Sequence, residues 1–311
     1  MGLKIVYYGL IIPASKLPFG VMYWVSDVLS LFLSYIIKYR KDVAIQNLKR
    51  AFPNISDERL NEVLRKNSRH VSDILLEGTK NMTMSEKQLK SRIVFKNTEI
   101  FDKYYQEGKS VILMGSHCNN WEYIITAQNL YLPHLAIGIG QPLTNQFFNV
   151  VINEQRARFG MKVVHAKTYK EEIENNIAAK NPVSVLVLAD QSPPNIHRAY
   201  WGKMFGVDTP FAYGGELLAR KYNLPVVYLK NTKVKRGYYE VEPVLLSENP
   251  QGEPYGGIMD KYIRTMEEQI LSEPQNWLWT HKRWKHQPPE NLEEVKRQNL
   301  ETFQSKNKAG N

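Results

Sequence analysis

Cysteine is almost absent from this chain of 311 residues, and Cys118 is the only one. A single thiol excludes an internal disulfide, so the simplest interpretation is a protein of a reducing compartment. Histidines and cysteines are not clustered at metal-ligand spacing, and His281 and His286, five positions apart in HKRWKH, are interpreted as part of a basic surface. The sequence also lacks internal repeats and low-complexity tracts. The spacing of its histidines and its cysteine therefore predicts no metal site.

Acidic residues are too few to balance the basic ones, and the formal net charge is +10. This excess favours an anionic partner, which is a nucleic acid, a membrane surface, a phosphorylated lipid or an acidic carrier protein. The basic residues are spread along the chain and no nucleic-acid-binding motif is present, which argues against nucleic acid. The apolar fraction of 43% is sufficient for a buried core in one large domain or two modest ones.

One N-terminal stretch is apolar enough to contact lipid along its whole length. Residues 19–37 contain a single charge, Asp27, and as a helix they would extend about 28 Å, close to the thickness of a bilayer core. The basic segment Lys38–Lys41 follows at once, which favours the cytoplasmic side for the rest of the chain. We expect a membrane span or a deep monotopic anchor. A buried or interfacial helix is the alternative, because Asp27 and three serines dilute the apolar stretch.

The rest of the chain is predicted to begin with helices and to continue as an α/β domain. Apolar runs of strand length occur at residues 110–114, 135–139, 162–166, 183–189, 225–230 and 238–244. Helical patterns separate several of these runs, which predicts an α/β fold with a mostly parallel central sheet flanked by helices. The predicted organisation is a membrane-anchoring helix within residues 1–41, the α/β domain at 42–289 and a charged tail at 290–311.

A histidine and a carboxylate follow the first of these strands, where an open α/β sheet binds its ligands. In GSHCNNWEY, residues 115–123, His117 and Glu122 are five positions apart. On one continuous helix they would be about 140° apart, so they can meet only if His117 lies in a turn before the helix that carries Glu122. Glu122 would then accept a hydrogen bond from one ring nitrogen and leave the other free as a base. The alternative is a surface histidine and a glutamate favoured at a helix start.

A base and its orienting acid without a serine nucleophile suit the deprotonation of a substrate hydroxyl that then attacks a thioester. Cys118 is the rival, as the nucleophile of a thiol hydrolase or transferase. Neighbouring residues in a turn point apart, so Cys118 and His117 are poorly arranged to act as a pair. We expect Cys118 to be a half-buried small hydrophobe.

Five landmarks occur along the chain in a recognisable order. They are VAIQNLKRAFPNIS at 43–56, the pair His117 and Glu122, INEQRARFGMKVV at 152–164, LADQSPP at 188–194 with FGVDTPFAYGGELLAR at 205–220, and PQNWLWTHKRWKHQP at 274–288. In this order, and after an N-terminal membrane segment, they resemble the bacterial lipid A biosynthesis (lauroyl/myristoyl) acyltransferases, within the glycerolipid acyltransferase superfamily. The resemblance covers nearly the whole chain.

The resemblance implies transfer of a fatty acyl chain from acyl carrier protein or acyl-CoA to a hydroxyl of a lipid A precursor, at the cytoplasmic face of the bacterial inner membrane. His117 would be the general base and Glu122 its orienting acid. The substrate-binding residues implied are Asn119, Gln141, Arg156, Arg158, Asp190, Gln191 and Arg283. Asp190 and Gln191 would line the pocket, and the arginines would contact phosphates of the substrates or an anionic membrane surface. No metal or redox cofactor is implied.

Two departures from the family pattern keep alternatives open. Many relatives carry Tyr-Arg-Pro or Tyr-Lys-Pro where this chain has Gly140-Gln141-Pro142, so Gln141 replaces a basic residue near the active site. The usual Asp-Gln-x-x-Gly becomes DQSPP, which stiffens that loop. The alternative function is therefore the same chemistry on another acceptor, such as an amino-acid lipid, a lysophospholipid or a glycolipid.

Overall fold

The fold combines an N-terminal helical part with an α/β domain. The structure is a computed structural model that describes residues 2–140, 143–165 and 167–308, without the side chains of 306–308. Its α-helices are α1 Gly2–Val6, α2 Ile12–Lys16, α3 Phe19–Leu31, α4 Lys41–Ala51, α5 Asp57–Asn81, α6 Glu86–Lys90, α7 Glu99–Gln106, α8 Trp121–Tyr131, α9 Gln146–Ala157, α10 Tyr169–Ala178, α11 Gly214–Tyr222, α12 Gly257–Ser272 and α13 Leu292–Lys308. π-Helical segments at Tyr7–Ile11 and Phe32–Ile36 continue α1 and α3, and short 3-10 turns lie at Pro250–Gly252 and Pro274–Asn276.

The central sheet is mostly parallel, as the sequence predicts. The strands are β1 Ile93–Phe95, β2 Val111–Gly115, β3 Leu135–Gly140, β4 Lys162–His165, β5 Val183–Leu188, β6 Tyr200–Met204, β7 Val207–Phe211, β8 Val226–Lys235 and β9 Tyr238–Ser247. Seven of them form one sheet in the order β1-β9-β8-β2-β5-β3-β4, and only the β8–β9 hairpin is antiparallel. The small β6–β7 hairpin stands apart from this sheet. The three-residue edge strand β1 and this hairpin were not predicted, because neither carries a long apolar run.

Strand β2 lies at the centre of the domain and is buried on both faces. Ile112 and Met114 contribute to the core on one face of the sheet, and Val111 and Leu113 contribute to the core on the other. Side chains of successive strand residues point to opposite faces, so a strand covered by helices on both sides reads as a continuous apolar run. This is why the apolar run SVILM, residues 110–114, predicts a strand. The position of this strand in the sheet fixes where the following loop lies.

Helix α3 has a polar side that packs on α5 and an apolar side that is exposed. The Ser26 hydroxyl donates to the Asp73 carboxylate at 2.7 Å, and the Tyr23 hydroxyl donates to Glu77 at 2.8 Å. Trp24 on the outer side is 68% exposed. The helix from Phe19 to Ile36 is long and apolar enough to cross a bilayer. By length and composition alone, such a single helix is weak evidence of membrane association.

The C-terminal helix α13 packs on the α/β domain. Val295 is buried against it, and the Asn299 side chain donates to the Ala199 carbonyl at 3.2 Å. Phe303 adds an aromatic contact with Tyr255. The charged tail predicted from the sequence therefore contains an amphipathic helix with one buried side.

Candidate active site

The register of two neighbouring strands brings a histidine and an aspartate together. Strands β2 and β5 are paired and parallel, with Gly115 opposite Leu188 at their carboxyl ends. His117 and Asp190 each lie two residues beyond these positions. The chain therefore leaves both strands at the same level, and the His117 Nδ1 lies 2.6 Å from an Asp190 carboxylate oxygen.

Asp190 is buried and ionised, and it determines which nitrogen of His117 carries a proton. Its second oxygen accepts the His117 backbone N–H at 2.7 Å and the Trp277 indole N–H at 2.9 Å. Burial by itself would raise the pKa of Asp190, but its interactions with His117 and Trp277 outweigh it and lower that pKa to about 2. A carboxylate can only accept, so Nδ1 of His117 donates and the neutral ring has an unprotonated Nε2. The Gln191 side-chain amide lies 3.1 Å from this Nε2 and donates to it.

The predicted hydrogen bond between His117 and Glu122 is not formed. The predicted turn before the helix is present, since Asn120 caps α8 and Glu122 lies in its first turn. The Trp121 ring packs edge-on against the His117 ring, with centroids 4.9 Å apart. Glu122 instead binds Arg156 of α9 through two hydrogen bonds, at 2.6 and 3.2 Å. The prediction was wrong because spacing along one segment cannot reveal a carboxylate on a neighbouring strand.

His117 lies in a cleft of about 600 Å³ between the N-terminal helices, α5 and α9. The polar side chains that line the cleft include His117, Glu122, Arg156, Gln191 and His281. One wall is apolar and includes Leu33, Val71, Ile74, Leu75, Met82 and Ile152. The cleft thus combines the His117 imidazole with an apolar surface that suits a hydrocarbon chain.

Comparison of the chain with known protein families identifies the class of enzyme to which it belongs. The family model described as bacterial lipid A biosynthesis acyltransferase matches residues 2–286. The chain belongs to this family. It is therefore an acyltransferase, of a family that uses a lipid acceptor and an acyl thioester donor. No curated protein matches the chain.

Asn119 supports the active-site turn of this acyltransferase and is closed off from the cleft. It has a left-handed backbone with φ of 55°. Its buried side-chain amide donates to the Asn231 carbonyl at 2.7 Å and to Glu273 at 3.0 Å. Because its donors are used inside the protein, the predicted contact between Asn119 and substrate is wrong.

Two arginines predicted to bind substrate also have structural contacts. The Arg158 guanidinium donates to the carbonyls of Asn81, the last residue of α5, and Met84, and it does not line the cleft. Arg283 is fully buried and donates to the Pro210 carbonyl at 2.8 Å, so it cannot contact a membrane surface as predicted. Burial lowers the pKa of Arg283 to about 10. Gln141 lies outside the described residues.

Cys118 is a buried thiol in this acyltransferase. Its side chain is 3% exposed, and burial raises the pKa of the thiol well above its ordinary value. A thiol is a weak nucleophile until it is deprotonated. The structure therefore argues against the thiol-nucleophile alternative and confirms the interpretation of Cys118 as a small hydrophobe.

His281, which the sequence analysis assigned to a basic surface, lies at the cleft. Trp277 and Trp279, which precede it, are buried. The side chain of Asn47 on α4 donates to the carbonyls of Trp279 and His281, at 2.8 and 2.7 Å. These bonds hold His281 at the cleft, where sequence reasoning did not place it. Its position in the last family landmark, WTHKR, was the signal that could have found it.

Metal binding was not predicted, and the described residues offer no obvious metal site. Among them, no group of three or more His, Cys, Asp or Glu side chains is arranged to hold a metal ion. The absence of a cofactor stays a prediction.

Proposed function

We propose that this acyltransferase moves a fatty acyl chain from acyl-acyl carrier protein or acyl-CoA to a hydroxyl of a lipid A precursor, with His117 as general base. The observation that supports this proposal is the contact between His117 Nδ1 and Asp190, at 2.6 Å. It leaves an unprotonated Nε2 on a residue that lines a cleft rich in apolar side chains. No residue in this arrangement offers a nucleophile of its own, so the attacking oxygen comes from the acceptor.

The reaction proceeds in two stages around His117. The acceptor hydroxyl displaces the Gln191 amide from Nε2 and donates its hydrogen bond there. As Nε2 takes the proton, the hydroxyl oxygen attacks the thioester carbonyl carbon and the carbonyl oxygen becomes negative. The C–S bond then breaks, and the departing thiolate takes the proton from Nε2. Asp190 stays ionised throughout and stabilises the imidazolium that forms between the two stages.

The donor approaches a basic surface near the cleft. A groove of about 710 Å³ is lined by Lys49 and Arg50 of α4 and by Lys282 and Lys285. These side chains are exposed. Four cations at one groove attract the phosphates of CoA or the acidic surface of a carrier protein.

The enzyme lies on the cytoplasmic face of the inner membrane as a monotopic protein. Asp27 of α3 pairs with Arg69 on α5 and with Arg236, both at 2.7 Å. If α3 crossed the bilayer, it would carry the charged side chains of Arg69, on α5, and Arg236, in the β8–β9 turn, into the hydrocarbon. Burial of charged side chains in hydrocarbon is energetically costly. The outer side of the helix, with Trp24 and Ile36, lies in the lipid instead. The basic segment Lys38–Lys41 then contacts anionic headgroups.

Two alanine variants of the full-length enzyme test the base. His117→Ala is expected to lower the rate of acyl transfer by about 10³-fold or more, whereas Cys118→Ala retains most of it. Transfer of a labelled acyl chain from acyl-CoA to lipid is the measurement, and the melting temperature checks folding. A folded Cys118→Ala enzyme without activity, or an active His117→Ala enzyme, would contradict the mechanism.

Lipid mass spectrometry of a deletion strain identifies the acceptor. Loss of one acyl chain from lipid A is the expected result. An altered amino-acid lipid, lysophospholipid or glycolipid with unchanged lipid A would move the same chemistry to that acceptor.

A further inference from the structure

A second histidine of the cleft has one ring nitrogen committed to the protein. The Nε2 of His281 accepts a hydrogen bond from the Ser192 backbone N–H at 3.1 Å. A ring nitrogen that accepts has no proton, so the neutral ring carries its proton on Nδ1. Among the residues that the structure describes, the ring makes no hydrogen bond through Nδ1, and His281 lines the cleft. Any hydrogen bond that His281 makes in the cleft is therefore donated by Nδ1.

The ring of His281 is both fixed and neutral. Its backbone carbonyl accepts from the Asn47 side chain at 2.7 Å and from the Arg283 backbone at 2.8 Å. Burial lowers the pKa of His281 to about 4, against the opposite effect of the Asp190 charge. At neutral pH, His281 is thus an uncharged donor held in place before substrate binds.

One loop connects this donor to the proposed base. Gln191 contacts the Nε2 of His117, and the next residue, Ser192, contacts the Nε2 of His281. Both histidines line the same cleft. The thioester carbonyl must lie beside His117 Nε2 when the acceptor attacks, which brings the carbonyl oxygen close to the ring of His281. The Trp277 indole, another donor at this point, is already used, since it donates to Asp190.

We infer that the Nδ1–H of His281 donates a hydrogen bond to the thioester carbonyl oxygen and to the oxyanion that forms on it. This inference rests on the proposed function. As the acceptor oxygen bonds to the carbonyl carbon, the carbonyl electron pair moves onto its oxygen, and His281 stabilises that charge without giving up its proton. When the pair returns and the C–S bond breaks, His117 supplies the proton that the sulfur takes. A donor fixed in advance is effective here because it needs no reorganisation during the reaction.

A matched pair of variants separates donation to the substrate from support of the loop. In His281→Asn, the amide nitrogen lies near the former Nδ1 and still donates into the cleft, but the contact with Ser192 is lost. In His281→Gln, the amide oxygen reaches the former Nε2 and still accepts from Ser192, but no donor remains at Nδ1. His281→Gln is expected to lower kcat by about 10²–10³-fold with little change in KM, whereas His281→Asn stays within about 10-fold of the parent enzyme.

The measurement is thiol release from lauroyl-CoA by the full-length enzyme in detergent micelles with a purified lipid A precursor, together with the melting temperature. The opposite order of activities would show that His281 supports the Ser192 loop, and equal activities would show that it donates nothing to the reaction. Either result overturns the inference. Failure of the proposed function is a separate outcome, in which His117→Ala keeps its activity or the parent enzyme releases no thiol.

Chemical rescue gives an independent measurement if either variant folds poorly. In His281→Ala, added imidazole is expected to restore thiol release, because it returns an N–H donor to the cleft. The control, 1-methylimidazole, has no N–H in its neutral form and is expected to restore none. Equal rescue by both compounds, or rescue by neither, contradicts a role as donor.

Discussion

At the residue scale, the central feature is the division of labour between two carboxylates near His117. Asp190 is buried and contacts the ring, while Glu122 is partly exposed and neutralises Arg156. The charge of Glu122 outweighs the effect of burial and raises the pKa of Arg156, so this guanidinium stays charged beside the base. Removal of either carboxylate therefore disturbs the site in a different way.

Asp190→Asn is expected to lower kcat by roughly 10³–10⁴-fold with a nearly unchanged KM. Two donors, the His117 backbone N–H and the Trp277 indole, require the amide oxygen on one side. The amide NH2 then faces His117 Nδ1, which must accept, and the proton moves to Nε2. The base is lost although the side chain keeps its shape. Steady-state kinetics measure the loss, and ¹⁵N shifts of His117 report the tautomer. An active variant with the parent tautomer would contradict this assignment.

At the element scale, α5 forms both the support of α3 and one wall of the cleft. Gly78 lies near its C-terminal end and lines the cleft, and a Cβ added there would contact nothing within 4 Å. Gly in a helix costs about 0.5–1 kcal/mol relative to Ala. Since no neighbouring atom requires this glycine, the space that it leaves belongs to the cleft.

Two substitutions test whether the space beside Gly78 accommodates the acyl chain or whether the glycine has only a structural role. Gly78→Ala is expected to raise the free energy of unfolding by up to about 1 kcal/mol and to retain activity. Gly78→Leu is expected to slow transfer of long acyl chains more than that of short ones, because the side chain fills the cleft. Rates measured with a series of acyl-CoA lengths check this result. An unchanged chain-length profile in Gly78→Leu would remove Gly78 from the acyl-binding wall.

Glu77 connects α5 to three other elements. Its carboxylate accepts from Tyr23 of α3, from Asn120 at the start of α8 and from Tyr239 of β9, at 2.7–2.8 Å. Burial nevertheless raises the pKa of Glu77, against the effect of these bonds. Because the folded pKa is raised, the contribution of Glu77 to stability is fully present below pH 4.5, the pKa of the residue in the unfolded chain. This contribution is lost as the pH rises through the pKa of Glu77 in the folded protein.

Glu77→Gln is uncharged at every pH and is expected to gain stability relative to the parent enzyme as pH rises from about 5 to 8. Below the unfolded pKa of Glu77, the parent carboxyl is also neutral, so the difference between the two proteins becomes constant there. Melting temperatures of both proteins across this pH range are the measurement. A difference that stays constant from pH 5 to 8 would show that the pKa of Glu77 is not raised in the folded protein.

At the scale of the whole molecule, the exposed apolar side of the N-terminal helices is the surface expected to bind lipid. Trp24→Glu combined with Ile36→Glu is expected to weaken binding to anionic vesicles by at least about 10-fold, because each side chain gains about 1.5–3 kcal/mol on burial in an apolar medium. Co-sedimentation with the vesicles is the measurement. Leu217→Glu, on α11, changes an exposed apolar residue elsewhere and should leave binding unaffected. Equal loss in both proteins would contradict a specific lipid-binding side.

The sequence by itself indicated a mostly parallel sheet, the proposed base and the acyltransferase class. Continuous apolar runs such as SVILM identify strands buried on both faces, and the turn after β2 identifies His117, because both signals are local. Ordered landmarks indicated the family that matches residues 2–286. Only the tertiary structure decided the partner of His117, because the β2–β5 register brings Asp190 next to it from 73 positions along the chain. Only the tertiary structure showed that Arg283 is buried and that His281 lies at the cleft. A basic aromatic segment looks alike in sequence whether it is exposed or folded inward, and only its packing against α4 and the β5 loop turns it toward the cleft.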